Sequence, residues 1–192
     1  MIKFYTNKEL SQKFKVNLAR WKRWSREFLP PDPLGGLQSG YARQYNPDEA
    51  FTVILGGHLV GELKFTIPDA RQIIHDLNNW LVEHEFYFNY SGGANLPIKK
   101  AFPVKNYQIA IIKKNIADAG DAEFLYRARG LIADDLIELD GHQIRQLQFT
   151  ESCIGPELSD SASFYVESHR VLSISALRDS FLSALAGVKS TD

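Results

Sequence analysis

Between Asn17 and the Pro30-Pro31 pair the chain has room for one short helix, and the two faces of that helix are opposite in character. Asn17 reads as an N-cap, its side-chain oxygen placed to accept first-turn amide hydrogens. The prolines close the segment, because proline neither donates a backbone hydrogen bond nor fits a helix interior. At about 100° per residue, Leu18, Trp21, Trp24, Ser25 and Phe28 share one arc of the wheel. Ala19, Arg20, Lys22, Arg23, Arg26 and Glu27 occupy the other. Such a helix has to bury its aromatic arc against a core, which leaves its cations facing outward.

The flanking residues say what that core contains. Thr6-Asn7-Lys8-Glu9 reads as a capping box opening a short helix with Leu10 and Phe14 on its inner face. Lys15-Val16-Asn17 interrupts it, so two short helices joined by a tight turn form a helix-turn-helix candidate. The segment from Pro31 to Gly40 is rich in proline and glycine, and a short strand is expected at Tyr41–Tyr45. No Gly-Lys-Ser/Thr follows, so the glycines are not a phosphate-binding loop. Asn46-Pro47-Asp48-Glu49 starts a third helix, which is expected to weaken at Gly56-Gly57. Thr66 caps a fourth, where Ala70, Ile73, Ile74, Leu77, Trp80 and Leu81 recur at helical spacing as far as about Glu85.

The pattern changes near residues 87–100, and a domain boundary is expected there, with one domain over 1–86 and a second over 100–192. Tyr107–Ile112, Glu123–Leu131 and Gln143–Phe149 read as strands, with shorter candidates at Phe164–Val166 and Val171–Ile174. Asp140-Gly141 suits a hairpin turn, and Ser175 is expected to cap a last helix running through Leu185. The whole is an α+β chain: a helical N-terminal domain followed by a small α+β domain.

Charge follows the same division. Residues 1–45 carry nine Lys or Arg and three Asp or Glu, a net of +6, whereas the remainder carries −7. A basic segment in an otherwise acidic chain suits a polyanion-binding surface. Other chemistries lack their residues. One cysteine, Cys153, excludes an intramolecular disulfide and a cysteine-rich zinc site, and the five histidines have no short metal-ligand spacing. Asp134, Asp135, Glu138 and Asp140 match no calcium-loop spacing and read as a solvated loop or helix surface. Ser152 and Ser161 sit in no nucleophile elbow. No catalytic residue, metal or cofactor is expected. No apolar run is long enough for a membrane span, and the polar start argues against a signal peptide, so a cytoplasmic protein is expected.

The first 77 or so residues resemble the DNA-binding domain of the MerR family of transcription regulators. The likeness is carried by Tyr5-Thr6-Asn7-Lys8-Glu9-Leu10, Val16-Asn17, Trp21-Lys22-Arg23-Trp24, Leu29-Pro30-Pro31, Gly40-Tyr41 with Arg43, Tyr45-Asn46-Pro47-Asp48-Glu49-Ala50 and Leu63–Arg71, in that order. The resemblance implies a winged helix-turn-helix whose second helix enters the major groove while the wing holds the flanking backbone. Two features depart from the family. The segment from Pro31 to Tyr41 is longer than the usual wing, and the helix after Thr66 is short for the family's long dimerisation helix.

On this reading Lys22, Arg23 and Arg26 face the groove, Arg20 meets a phosphate at its border, and Arg43 beside Tyr41 suits backbone or minor-groove contact from the wing. The expected partners are double-stranded DNA, a second copy of the chain in a homodimer, and a small-molecule or protein effector at the C-terminal domain. Two alternatives stay open: an architectural DNA-binding factor of the excisionase kind, and a protein-interaction adaptor whose basic helix faces an acidic partner.

Overall fold

The structure is a computed structural model that describes residues 4–32, 42–87, 106–114, 123–155 and 169–187. The expected wing tip with Tyr41, the boundary glycines at Ser91-Gly92-Gly93 and the strand at Phe164–Val166 lie outside them. Helices and two antiparallel sheets make the chain α+β. It divides into two compact units, Met1–Ala94 with Leu177–Asp192, and Asn95–Ala176.

In the first unit, strand β1 (Tyr5–Thr6) leads directly into α1 (Asn7–Lys13), and α2 (Leu18–Phe28) follows after a turn. Caps fix each start. Thr6 Oγ1 accepts from Glu9 N, and the Glu9 carboxylate accepts from Thr6 N at 2.7 Å, closing the capping box. Asn17 Oδ1 accepts from Ala19 N at 2.9 Å. Lys15 bends the turn with φ +53°, a left-handed conformation that favours glycine. The short strand β2 (Gln44–Tyr45) pairs antiparallel with β1. A second capping box, between Asn46 and Glu49, opens α3 (Pro47–Gly61), and Thr66 caps α4 (Ile67–Glu83).

The expected weakening of α3 at Gly56-Gly57 does not occur, since the helix runs on to Gly61. Both glycines are buried beneath α2. A Cβ on Gly56 would lie 2.3 Å from the Phe28 ring, and one on Gly57 would lie 2.4 Å from the Trp24 ring. Low helix propensity is outweighed by the close approach that two missing side chains permit. The aromatic arc of α2 is buried as its wheel requires, with Trp21 fully enclosed and Trp24 and Phe28 partly so. Leu18 is the departure, for it stays exposed at the first turn.

The last helix, α5 (Ile174–Ala186), supplies part of the same core. Phe181 is buried, stacks on Phe14 at 5.2 Å and meets Phe51 edge-on at 5.2 Å. Lys13 Nζ donates to Leu185 O at 2.9 Å, capping a carbonyl near the end of α5. The helical unit therefore draws on residues far beyond 86. Ser175 does not cap α5, which starts one residue earlier. Its hydroxyl instead accepts from Tyr107 N at 2.8 Å, within the second unit.

That second unit is a four-stranded antiparallel sheet ordered β5-β4-β3-β6, from β3 (Tyr107–Lys114), β4 (Glu123–Leu139), β5 (His142–Ile154) and β6 (Arg170–Leu172). One face is core. Ile109 pairs with Ala128 and Leu172, and Ile111 pairs with Tyr126, all buried. β4 and β5 are longer than their apolar cores suggest, and Asp134, Asp135 and Glu138 belong to a strand, not to a loop or helix surface. Among the described residues the pairing of β3 with β4 ends at Gly130, with Leu131 N donating to Asn106 O just beyond it, so Ala133–Gln148 form a two-stranded ribbon with a register shift between Leu131 and Ala133 at its base. Its turn has positive φ at Asp140 and Gly141, as expected of a two-residue hairpin turn. Charges are tolerated in this ribbon because cross-strand pairing satisfies the backbone while the side chains stay in water.

The packing of α2 on α3 yields a prediction of sign. In an open helix Gly→Ala adds about 1 kcal/mol of stability. Gly57→Ala should instead destabilise the protein by about 1–3 kcal/mol, as overpacking does. Urea unfolding checks it, and a stabilised variant would mean that α2 does not seat on α3 in this way.

Candidate nucleic-acid interface

The outer face of α2 collects the cations of the basic segment. Arg20, Lys22, Arg23 and Arg26 are all exposed, and the Lys22 and Arg23 side chains have no partner among the described residues. The Arg20 guanidinium lies 6.0 Å from the centre of the Trp24 ring, at the border between the polar and aromatic arcs. Arg26 Nε donates to Lys22 O at 3.3 Å, which keeps its head group along the helix. Glu27 is the acid of this helix. Its carboxylate is ion-paired with Arg71 of α4, whose Nε also donates to Glu27 O at 2.7 Å. The pair draws the negative charge toward α4 and ties the end of α2 down.

Lys22 and Arg26 open onto a cleft of about 530 Å³ whose other walls include Asn7, Tyr45, Pro31 and Arg43. Its floor is a buried relay of hydroxyls. Tyr45 OH donates to Asn7 Oδ1 at 2.6 Å, so the 2.7 Å contact between Ser25 Oγ and Tyr45 OH has the serine as donor. One phenol thus fixes the start of α1, the middle of α2 and strand β2 relative to one another. Trp21 backs the same strand, its ring edge-on to Tyr45 at 5.8 Å.

Arg43 lines this cleft but is turned inward. Its side chain is only 14% exposed, donating to Pro30 O at 2.9 Å and pairing with Glu49 at 3.1 Å across the Tyr45 ring. Glu49 thereby serves twice, because its other oxygen closes the capping box of α3. The structure brings Lys22, Arg26 and Arg43 around one cleft, leaves Arg20 and Arg23 on the adjoining helix surface, and does not describe Tyr41. Sequence reasoning missed Asn7, Ser25, Tyr45 and Arg71 as supports of this surface. Glu27 and Arg71 stand 44 positions apart, and no local pattern joins them.

No protein-family model, curated protein or solved structure matches the chain. Among the described residues no helix is long and apolar enough to cross a membrane, and no three His, Cys, Asp or Glu side chains converge as metal ligands would.

The hydroxyl relay makes Tyr45 a positioning residue. Tyr45→Phe leaves the ring packed but strands the buried Ser25 donor, which should cost about 1–3 kcal/mol of stability. Thermal or urea unfolding measures the loss. Full wild-type stability would show that Ser25 finds another acceptor.

Proposed function

We propose that the protein is a non-enzymatic DNA-binding transcription regulator that reads double-stranded DNA with α1, the turn at residues 14–17, and α2. The reading is carried by one observation. α2 is seated by its aromatic face on α3 and tied to α4 by the Glu27–Arg71 pair, so four cations project from a supported helix whose one carboxylate is held by Arg71. An exposed, well-supported basic helix of this length fits the major groove. Lys22, Arg23 and Arg26 face the groove in this reading, and Arg20 meets a phosphate. Arg43 acts by holding the exit of α2, while Tyr41 contacts the backbone from the wing. The MerR-like order of motifs supports the same reading. A homodimer suits it as well, since one small module makes few base contacts and two-fold symmetry doubles them.

Selection of bound sequences from a random DNA pool tests the class, and substitutions on α2 test the site. Arg23→Ala and Arg26→Ala should each weaken binding and leave unfolding unchanged. A base-reading arginine costs about 1–3 kcal/mol and relaxes preference at one position, whereas a phosphate-binding one weakens all sequences alike and lowers the salt slope by about one. Affinity titrations at several salt concentrations separate the two. Variants that bind like the wild-type protein would remove α2 from the interface, and a chain indifferent to all DNA at low salt would end the proposal.

A further inference from the structure

Strand β5 is the outer strand of its sheet, and among the described residues no strand pairs with its outer edge. Such an edge offers a row of backbone N–H and C=O groups to any strand that can align with it. Proteins ordinarily guard an edge by keeping it short or by placing proline, lysine or a bulge along it. The opposite edge, β6, is three residues long. β5 runs for 13 residues, His142–Ile154, with no proline, glycine or lysine. The extra residue at the register shift lies in β4, so β5 itself runs without a bulge. Every residue from His142 to Cys153 is exposed, the apolar Leu147 and Phe149 among them.

We propose that the outer edge of β5 pairs antiparallel with the same edge of a second copy of the chain, joining two four-stranded sheets into one. The order of side chains selects this occupant. A two-fold axis normal to the sheet keeps each side chain on its own face, as an isologous contact requires. One register overlaps the two strands over their whole length, and it sets Gln148 opposite itself. In that register Arg145 lies opposite Glu151 and Leu147 opposite Phe149, each pair made twice and all on one face. Sliding the copies by two residues sets Arg145 against Phe149 or Cys153 and removes the match. The match needs no free charge. Glu151 already pairs with Arg129 at 3.4 Å, and Arg145 holds Asp134 through two hydrogen bonds. Across the axis Arg129 and Glu151 of one copy continue into Arg145 and Asp134 of the other as a line of alternating sign. On the opposite face Gln146 meets Thr150 and Gln148 meets itself, so nowhere along the strands do like charges meet. Main-chain hydrogen bonds supply the affinity of such strand addition, and alternate side chains supply its specificity. The inference gives the homodimer of the proposed function a surface, but it stands on β5 alone.

Sedimentation of the full chain without DNA, over the micromolar range, tests it, with Gln148 as the probe because that residue faces its own copy. The wild-type chain should dimerise. Gln148→Glu and Gln148→Lys each set like charges opposite one another, and each should weaken association about fivefold or more with an unchanged melting profile. An equimolar mixture of the two should associate more tightly than either alone, since the mixed pair has opposite signs. Oxidation reads the register. In a Cys153→Ser background, Gln148→Cys places two thiols on residues about 5 Å apart, within disulfide reach, and should give a covalent dimer. Gln146→Cys should not, because its copy lies four residues away, about 13 Å along the strand. A wild-type chain that stays monomeric would overturn the proposal. So would a mixture no tighter than its components, or a Gln146→Cys chain that crosslinks as readily as Gln148→Cys. No DNA is present, so any of these results leaves the DNA reading standing, and loss of DNA binding in α2 variants leaves this one standing.

Discussion

The helical unit depends on the enclosure of Trp21. Its indole is fully buried, stacked parallel to Phe14 at 6.0 Å and edge-on to Tyr45 at 5.8 Å. Burial of a ring this size is a large apolar contribution, and it offsets an indole N–H that has no acceptor among the described residues. That unmade bond costs about 1–3 kcal/mol, and the ring keeps its place all the same. Turning Trp21 inward sets the rotation of α2 about its own axis. Once that rotation is set, Trp24 and Phe28 must meet α3, and the cations must face away.

The same rotation explains how the basic segment divides its labour. Lys13 and Arg43 are spent within the fold, one on the end of α5 and the other on Pro30 and Glu49. Arg20, Lys22, Arg23 and Arg26 remain outside. A count of charges over residues 1–45 treats all of these alike, and only packing separates the structural cations from the exposed ones. The acidic character of the rest of the chain is likewise concentrated, with part of it gathered on the outer reach of β4.

Much of the fold was legible where the controlling interaction is local. Thr6, Asn17, Asn46 and Thr66 act as caps in the structure because a cap acts within three residues and its signal is written there. The hairpin turn at Asp140-Gly141 was legible for the same reason, since two successive positive φ angles call for such residues. Gly56-Gly57 misled because intrinsic propensity speaks against a helix, while the reason for the glycines is two rings on another helix. β4 was cut short because acidic residues read as loop, although a ribbon wet on both sides accepts them. At the candidate site the cations were legible from the wheel. The supports around them were not, since Tyr45 with Asn7 and Glu27 with Arg71 meet only after folding.

Phe181 bears on how the chain is made as well as on how it holds together. Its ring lies between Phe14 and Phe51, partners 167 and 130 positions earlier in the chain. Closing so long a loop costs little more free energy than closing a shorter one, because the entropy grows only with the logarithm of length. Time is affected more. Synthesis proceeds from the N-terminus at about 5–20 residues per second, so for many seconds α1 to α4 exist outside the ribosome with the seat of Phe181 uncovered. The β-sheet unit, whose strands lie between, is synthesised before the helical core can be completed. A protein built in this order exposes an aromatic pocket to chaperones throughout its birth and shuts it with one of its last helices.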